Sequence, residues 1–115
     1  MSLDLNKTLE VIEIMENYID WKRPPEEMRS RVDLSYRIEK QSIVIFEIRP
    51  LYDDQDIKME SKIAKTTYIT KKDLWSVFWW RSDAKWHVYK PQSNVKSLVE
   101  FIELIEEDKH GCFWG

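Results

Sequence analysis

A chain of 115 residues, 43% hydrophobic and 34% charged, is long enough to bury a core without disulfides or metal, and its composition is globular rather than disordered. A net charge of −3 argues against a strongly basic nucleic-acid binder, and a single cysteine, Cys112, excludes an internal disulfide and points to the cytoplasm. Two glycines, Gly111 and Gly115, leave no glycine-rich phosphate loop, and no leader or long apolar run predicts secretion or membrane insertion, so one domain over residues 1–115 is expected.

Residues 4–21 are expected to form a helix. Leu5, Leu9, Ile12, Met15 and Ile19 recur at helical spacing, and Val11, Ile14 and Tyr18 widen the stripe enough for a helix lying on a sheet. Pro24 and Pro25 stop it, and "PPEEMR" starts a short helical turn.

The period then changes to two. Val32, Leu34, Tyr36 and Ile38 alternate with Asp33, Ser35 and Arg37, which reads as a strand with one buried face. The next strand, "SIVIFEIRP", puts Val44, Phe46 and Ile48 on one side and Ile43, Ile45, Glu47 and Arg49 on the other. Joining the two through Lys40, Gln41 and Ser42 sets Tyr36 against Phe46, Leu34 against Ile48 and Asp33 against Arg49. A shift of two residues would oppose like charges and is therefore disfavoured.

Pro50 ends that strand and "LYDDQD" is a polar turn. Strands are expected at 57–70, 74–81 and 85–90, with a helix from about 95 to 109 whose stripe is Val95, Leu98, Ile102 and Ile105 beside Phe101, closed at Gly111. Short turns force neighbouring strands antiparallel. The expected fold is α+β: an N-terminal helix, a five-stranded antiparallel meander and a C-terminal helix packed on the sheet.

The stretch "VFWWRSDAKWHVYK" concentrates aromatic residues. Trp75, Val77 and Trp79 project to one side of their strand, Phe78 and Trp80 to the other, and both sides are large and apolar. Arg81 shares the Trp75–Trp79 side, within reach of an indole. Packing inside the sheet is the favoured explanation. An exposed surface for a protein partner or a second copy is the next, and a stacking platform for single-stranded nucleic acid the third.

Chemistry is sparse. His87, His110 and Cys112 do not form a spacing diagnostic of a metal site, so neither metal nor cofactor is expected. The triplet "ESK" carries Glu60 and Lys62 in a pattern shared with metal-dependent nucleases, and a solvated strand face explains it better. Glu47 and Arg49 sit on a very apolar strand and suit a polar network with Asp33, Ser35 and Arg37, or an anion site at Arg37 or Arg49. The candidate binding residues are Arg37, Glu47, Arg49, Trp80, Arg81, His87, Tyr89 and Trp114. The expected function is a non-catalytic interaction module acting through a sheet face or edge. A nucleic-acid-binding or nuclease-like protein is the alternative.

Four segments together resemble a family of small bacterial proteins, domain-of-unknown-function family 3024: "PPEEMRSRVDLSYRIEKQSIVIFEIRP", "KIAKTTY", "LWSVFWWRSDAKWHVY" and the terminal "FWG". Phe46, Glu47, Arg49, Pro50, Trp75, Trp79, Arg81, His87, Tyr89, Phe113, Trp114 and Gly115 match its pattern. Trp80 and the run Lys65–Thr66–Thr67 depart from it, where more arginine or glutamine character is the rule. The resemblance implies a bacterial source and a self-contained domain, and carries no activity, substrate or cofactor. Because chain ends usually fray unless tied down, the terminal "FWG" is expected to dock on the body beside Glu47 and Arg49.

Overall fold

The computed structural model describes residues 2–115. Helix α1 spans Leu5–Lys22; the strands follow as β1 (Asp33–Glu39), β2 (Ser42–Pro50), β3 (Lys58–Ile69), β4 (Leu74–Trp80), β5 (Trp86–Val88) and β6 (Asn94–Val95); helix α2 spans Leu98–Glu107. The first five strands form an antiparallel meander in sequence order, and β6 adds to β4. This is the expected α+β architecture with one strand more. Residues 94 and 95, expected at the start of the second helix, instead pair with Trp75 and Ser76. The helix waits for Ser97, whose hydroxyl accepts the Glu100 N–H at 3.1 Å, while the Glu100 carboxylate accepts the Lys96 N–H at 3.1 Å. Side chains thus satisfy amide donors that the first helical turn cannot pair.

At the start of α1, Asp4 accepts the Lys7 N–H at 2.7 Å; at its end the Arg23 N–H reaches the Ile19 carbonyl before the two prolines. The buried side of α1 is Val11, Met15, Tyr18 and Ile19. Leu5, Leu9 and Ile12, expected in the buried stripe, are exposed and lie about 100° round the helix from it. The stripe was broad enough to allow either centre. In α2 the buried line is Leu98, Phe101 and Ile105, so Phe101 is its centre rather than a flanking residue.

The core joins both helices to one side of the sheet: Leu34, Ile43, Ile45, Ala64, Trp75, Val77 and Val95 meet Val11, Met15, Phe101 and Ile105. Thr66 is buried among them and spends its hydroxyl on the Ser76 carbonyl at 2.7 Å.

The β1–β2 register differs by one residue from the expected one. Tyr36 faces Ile45, Leu34 faces Glu47 and Asp33 faces Ile48, across a turn of Lys40 and Gln41 with Lys40 at φ 57°. A one-residue change inverts the faces. Ile43, Ile45 and Glu47 therefore share the helix side with Leu34 and Tyr36, and Val44, Phe46 and Ile48 go to the far side with Arg37. Asp33 has no Arg49 opposite it; both its oxygens bind Arg23, each at 2.7 Å. A bulge follows between β2 and β3, where Ile45 faces Ala64 but Phe46 faces Lys62, leaving Ile63 as the extra residue.

Candidate functional site

The candidate residues fall in three places. The first is a cleft of about 450 Å³ on the helix side, lined by Trp79, Arg81, His87, Val88, Tyr89, Lys90, Pro91 and Cys112. Arg81, His87 and Tyr89 do converge there. Strand pairing sets Trp79 opposite His87, and the Arg81 guanidinium lies over the Trp79 ring, 5.2 Å from its centroid, as the alternation implied. His87 Nε2 lies 2.8 Å from Asp83 Oδ2, and this hydrogen bond holds the Asp83 carboxyl below its usual range. Burial pushes the Tyr89 hydroxyl and the Cys112 thiol up, and the Asp108 carboxylate adds to the effect at both. No carboxylate lines the cleft; the imidazole of His87, held by Asp83, is the group there suited to take up a proton.

The second place is the far end of β2. Arg49 Nη2 donates to Glu47 Oε1 at 3.1 Å, and Glu47 shares a cleft of about 210 Å³ with Lys22, Pro24, Val32, Asp33, Leu34 and Trp114. The terminal segment joins these two places. Cys112 lines the first cleft, Phe113 packs on Tyr89 with ring centroids 5.0 Å apart, and Trp114 lines the second under the Lys22 ammonium. The tail therefore docks beside Glu47, as expected from the sequence, while Arg49 lines neither cleft.

What seats the tail was not foreseen. Helix α2 ends at Glu107, and the left-handed terminator is Asp108 (φ 42°) rather than Gly111. Its carboxylate accepts the N–H groups of Phe113 at 3.1 Å and Trp114 at 2.9 Å. Aspartate tolerates this backbone conformation better than most residues with a side chain. A sequence signal existed, since an acid at a helix end is out of place against the helix dipole unless it has another task.

The third place is the opposite side of the sheet, where Arg37 and Trp80 lie. No helix residue joins the apolar groups there to the core. Two rows cross the strands on this side. One reads Arg37, Val44, Lys65, Phe78, Val88; the other runs from Ser35 through Phe46 and Lys62, and ends in the pair Trp80 and Trp86. Long cations lie on the rings: Arg37 over Phe46 at 4.7 Å, Lys62 over Trp80 at 4.7 Å, and Lys65 between Phe78 at 5.1 Å and Trp86 at 5.6 Å. Trp80 and Trp86 meet edge to face, 5.0 Å apart. Trp80 and Lys65, at which the chain departs from the pattern described above, both belong to this side.

Glu60 and Lys62 do not assemble as a nuclease pair. Arg37 Nη1 donates to both Glu60 oxygens, at 2.8 and 2.9 Å, and also pairs with Glu39, while Lys62 lies on Trp80. Among the described residues no three His, Cys, Asp or Glu side chains are grouped to hold a metal ion, and no helix is long and apolar enough to cross a membrane. Sequence reasoning weighed Phe78 and Trp80, and named Lys65 only as a departure from the family pattern. That Lys62 joins it on the same side depends on the bulge at Ile45–Phe46, because positions 62 and 65 would otherwise alternate to opposite faces.

Compared with known proteins, the chain matches no curated protein and no solved structure. A family model described as "Domain of unknown function (DUF3024)" matches residues 4–115, nearly the whole chain, and the chain belongs to that family.

Proposed function

We propose that this protein is a non-catalytic binding module of the cytoplasm, and that the helix-free side of its sheet is the binding surface. The observation that carries this reading is the unequal treatment of the two sides. One is covered by α1, α2 and the tail; the other keeps Phe78, Trp80 and Trp86 partly accessible, with the flexible cations Lys62 and Lys65 lying on their rings. Rings held by a rigid sheet offer contact area at little cost in ordering, which is what recognition surfaces use.

The polar groups do not assemble the acidic metal site that a nuclease needs. Arg81, His87 and Tyr89 share a cleft without an acid, Glu47 lies in a different one, and Glu60 is engaged by Arg37. The nuclease alternative therefore has no geometric support.

The test is to follow the indole N–H resonances of Trp80 and Trp86 while the protein is concentrated, and while a protein lysate fraction or a single-stranded oligonucleotide is added. Shifts at these two indoles with at least one of the three support the reading. Indoles that stay fixed under all three conditions would overturn it.

A further inference from the structure

We infer that the helix-free side of the sheet takes a single-stranded nucleic acid, with bases stacked on Phe78, Trp80 and Trp86 and phosphates on Lys62 and Lys65. This rests on the reading of that side as the binding surface and adds the ligand to it. A nucleic-acid strand alternates flat apolar rings with fixed negative charges. Here Lys62 and Lys65 of β3 lie among Phe46, Phe78, Trp80 and Trp86, so cations and rings stand side by side from β2 to β5, a span of about 14 Å at the usual strand spacing.

The net charge of −3 would oppose this if it were spread evenly, but the charge is divided by layer. Helix α1 carries four acids against two lysines, and α2 four glutamates and no base, so the helices hold −6 and the remainder of the chain +3. The net negative charge thus belongs to the layer that faces away, and on the open side Glu39 and Glu60 are both paired with Arg37. On the open side, Lys62 and Lys65 have no carboxylate within ion-pair distance among the described residues. Each is held by ring faces alone, a contact that a phosphate and a stacked base can replace together. An acidic protein would satisfy the cations and leave the rings unused; an apolar one would do the reverse.

The experiment measures binding of the full chain to an oligothymidylate, to a duplex of the same length and to polyglutamate, and sizes the protein alone over a range of concentrations. The oligothymidylate should bind, with log K falling against log salt at a slope of about −1.4 for two phosphates. Trp80→Ala should weaken binding roughly 5- to 150-fold. Lys62→Ala with Lys65→Ala should flatten the slope by about 1.4. These two exposed lysines test the idea even if the tryptophan variant does not fold. Equal binding of polyglutamate or duplex would overturn the inference, because charge alone would then explain it. Self-association through the same indoles, with no oligonucleotide bound, would overturn it and leave the binding module standing. Indoles that respond to nothing would remove both.

Discussion

Asp108 holds Trp114 in place: a carboxylate oxygen of the first accepts the backbone N–H of the second at 2.9 Å, and the indole N–H then reaches the Ile105 carbonyl at 3.0 Å. A chain end with its amides and its ring both paired is part of the fold rather than a frayed tail. Removing residues 112–115 exposes Tyr89 and takes away the buried Phe113, a loss of at least about 3 kcal/mol for a ring of that kind. Asp108→Ala keeps the rings but leaves two amides without their charged acceptor, and should cost about 2 kcal/mol. Urea unfolding of both variants measures this. A truncated chain with an unchanged midpoint would show that the tail adds nothing.

The same carboxylate governs Cys112. Burial raises the thiol pKa, and Asp108 raises it further, so little thiolate is present at neutral pH. The native protein should react with a disulfide reagent more slowly than its own urea-unfolded form. Asp108→Ala should react faster than the native chain, because it both removes the negative charge and loosens the tail. Equal rates for the native and unfolded chains would mean that the tail is open in solution.

Stability should fall at both ends of the pH range, for different reasons. On the alkaline side, Tyr18 donates its hydroxyl to Glu106 across the two helices, and burial first, then this bond, raises its pKa above the ordinary value of 10.0. Burial first, and Glu16 next, pushes Tyr36 up to about 12. A raised folded pKa means stability fully present below pH 10 and lost as the pH climbs above it. On the acid side, Arg23 holds the Asp33 carboxyl below 3.8, so the contribution of that pair is present above this value and disappears as the pH falls through the lowered one. Tyr18→Phe should flatten the alkaline limb of a urea-midpoint profile and leave the acid limb alone. An identical alkaline limb in the variant would place the loss elsewhere.

How far the chain could be read from its residues depended on whether the pattern offered a choice. Helix α1 and strand β3 were legible nearly to the residue, because Pro24 stops one and polar turns bound the other. The order of strands followed from short turns. Strand β2 was legible as a strand and illegible in register: Ile43 and Ile45 on one side and Val44 and Phe46 on the other are all buried, so alternation gives no preferred face. Charge pairing was then the only guide, and it favoured an Asp33–Arg49 contact over the bidentate Arg23 that the helix end in fact supplies. For the site, alternation correctly joined Arg81 to Trp79, and it separated Trp80 from both. Glu47 and His87 lie in separate clefts because β3 and β4 stand between their strands, and the tail that lines both clefts is seated by Asp108, a long-range contact that no local pattern contains.

The register itself can be tested by two isoleucines that the alternatives rank in opposite order. In the observed pairing Ile43 is fully buried against Val11 and Met15 in the core, while Ile48 lies on the far side, partly accessible and opposite Asp33. Truncating a buried isoleucine to alanine removes its transfer energy and leaves a cavity, which costs about 2–5 kcal/mol. At a half-open site facing solvent the cavity disappears, and about 1 kcal/mol remains. Ile43→Ala should therefore lower the urea midpoint much more than Ile48→Ala. In the pairing that sets Tyr36 against Phe46, Ile48 would face the helices and the ranking would reverse. A larger loss at position 48 would mean that β2 is turned over, with Phe46 moved from the open side into the core and its contact with Arg37 broken.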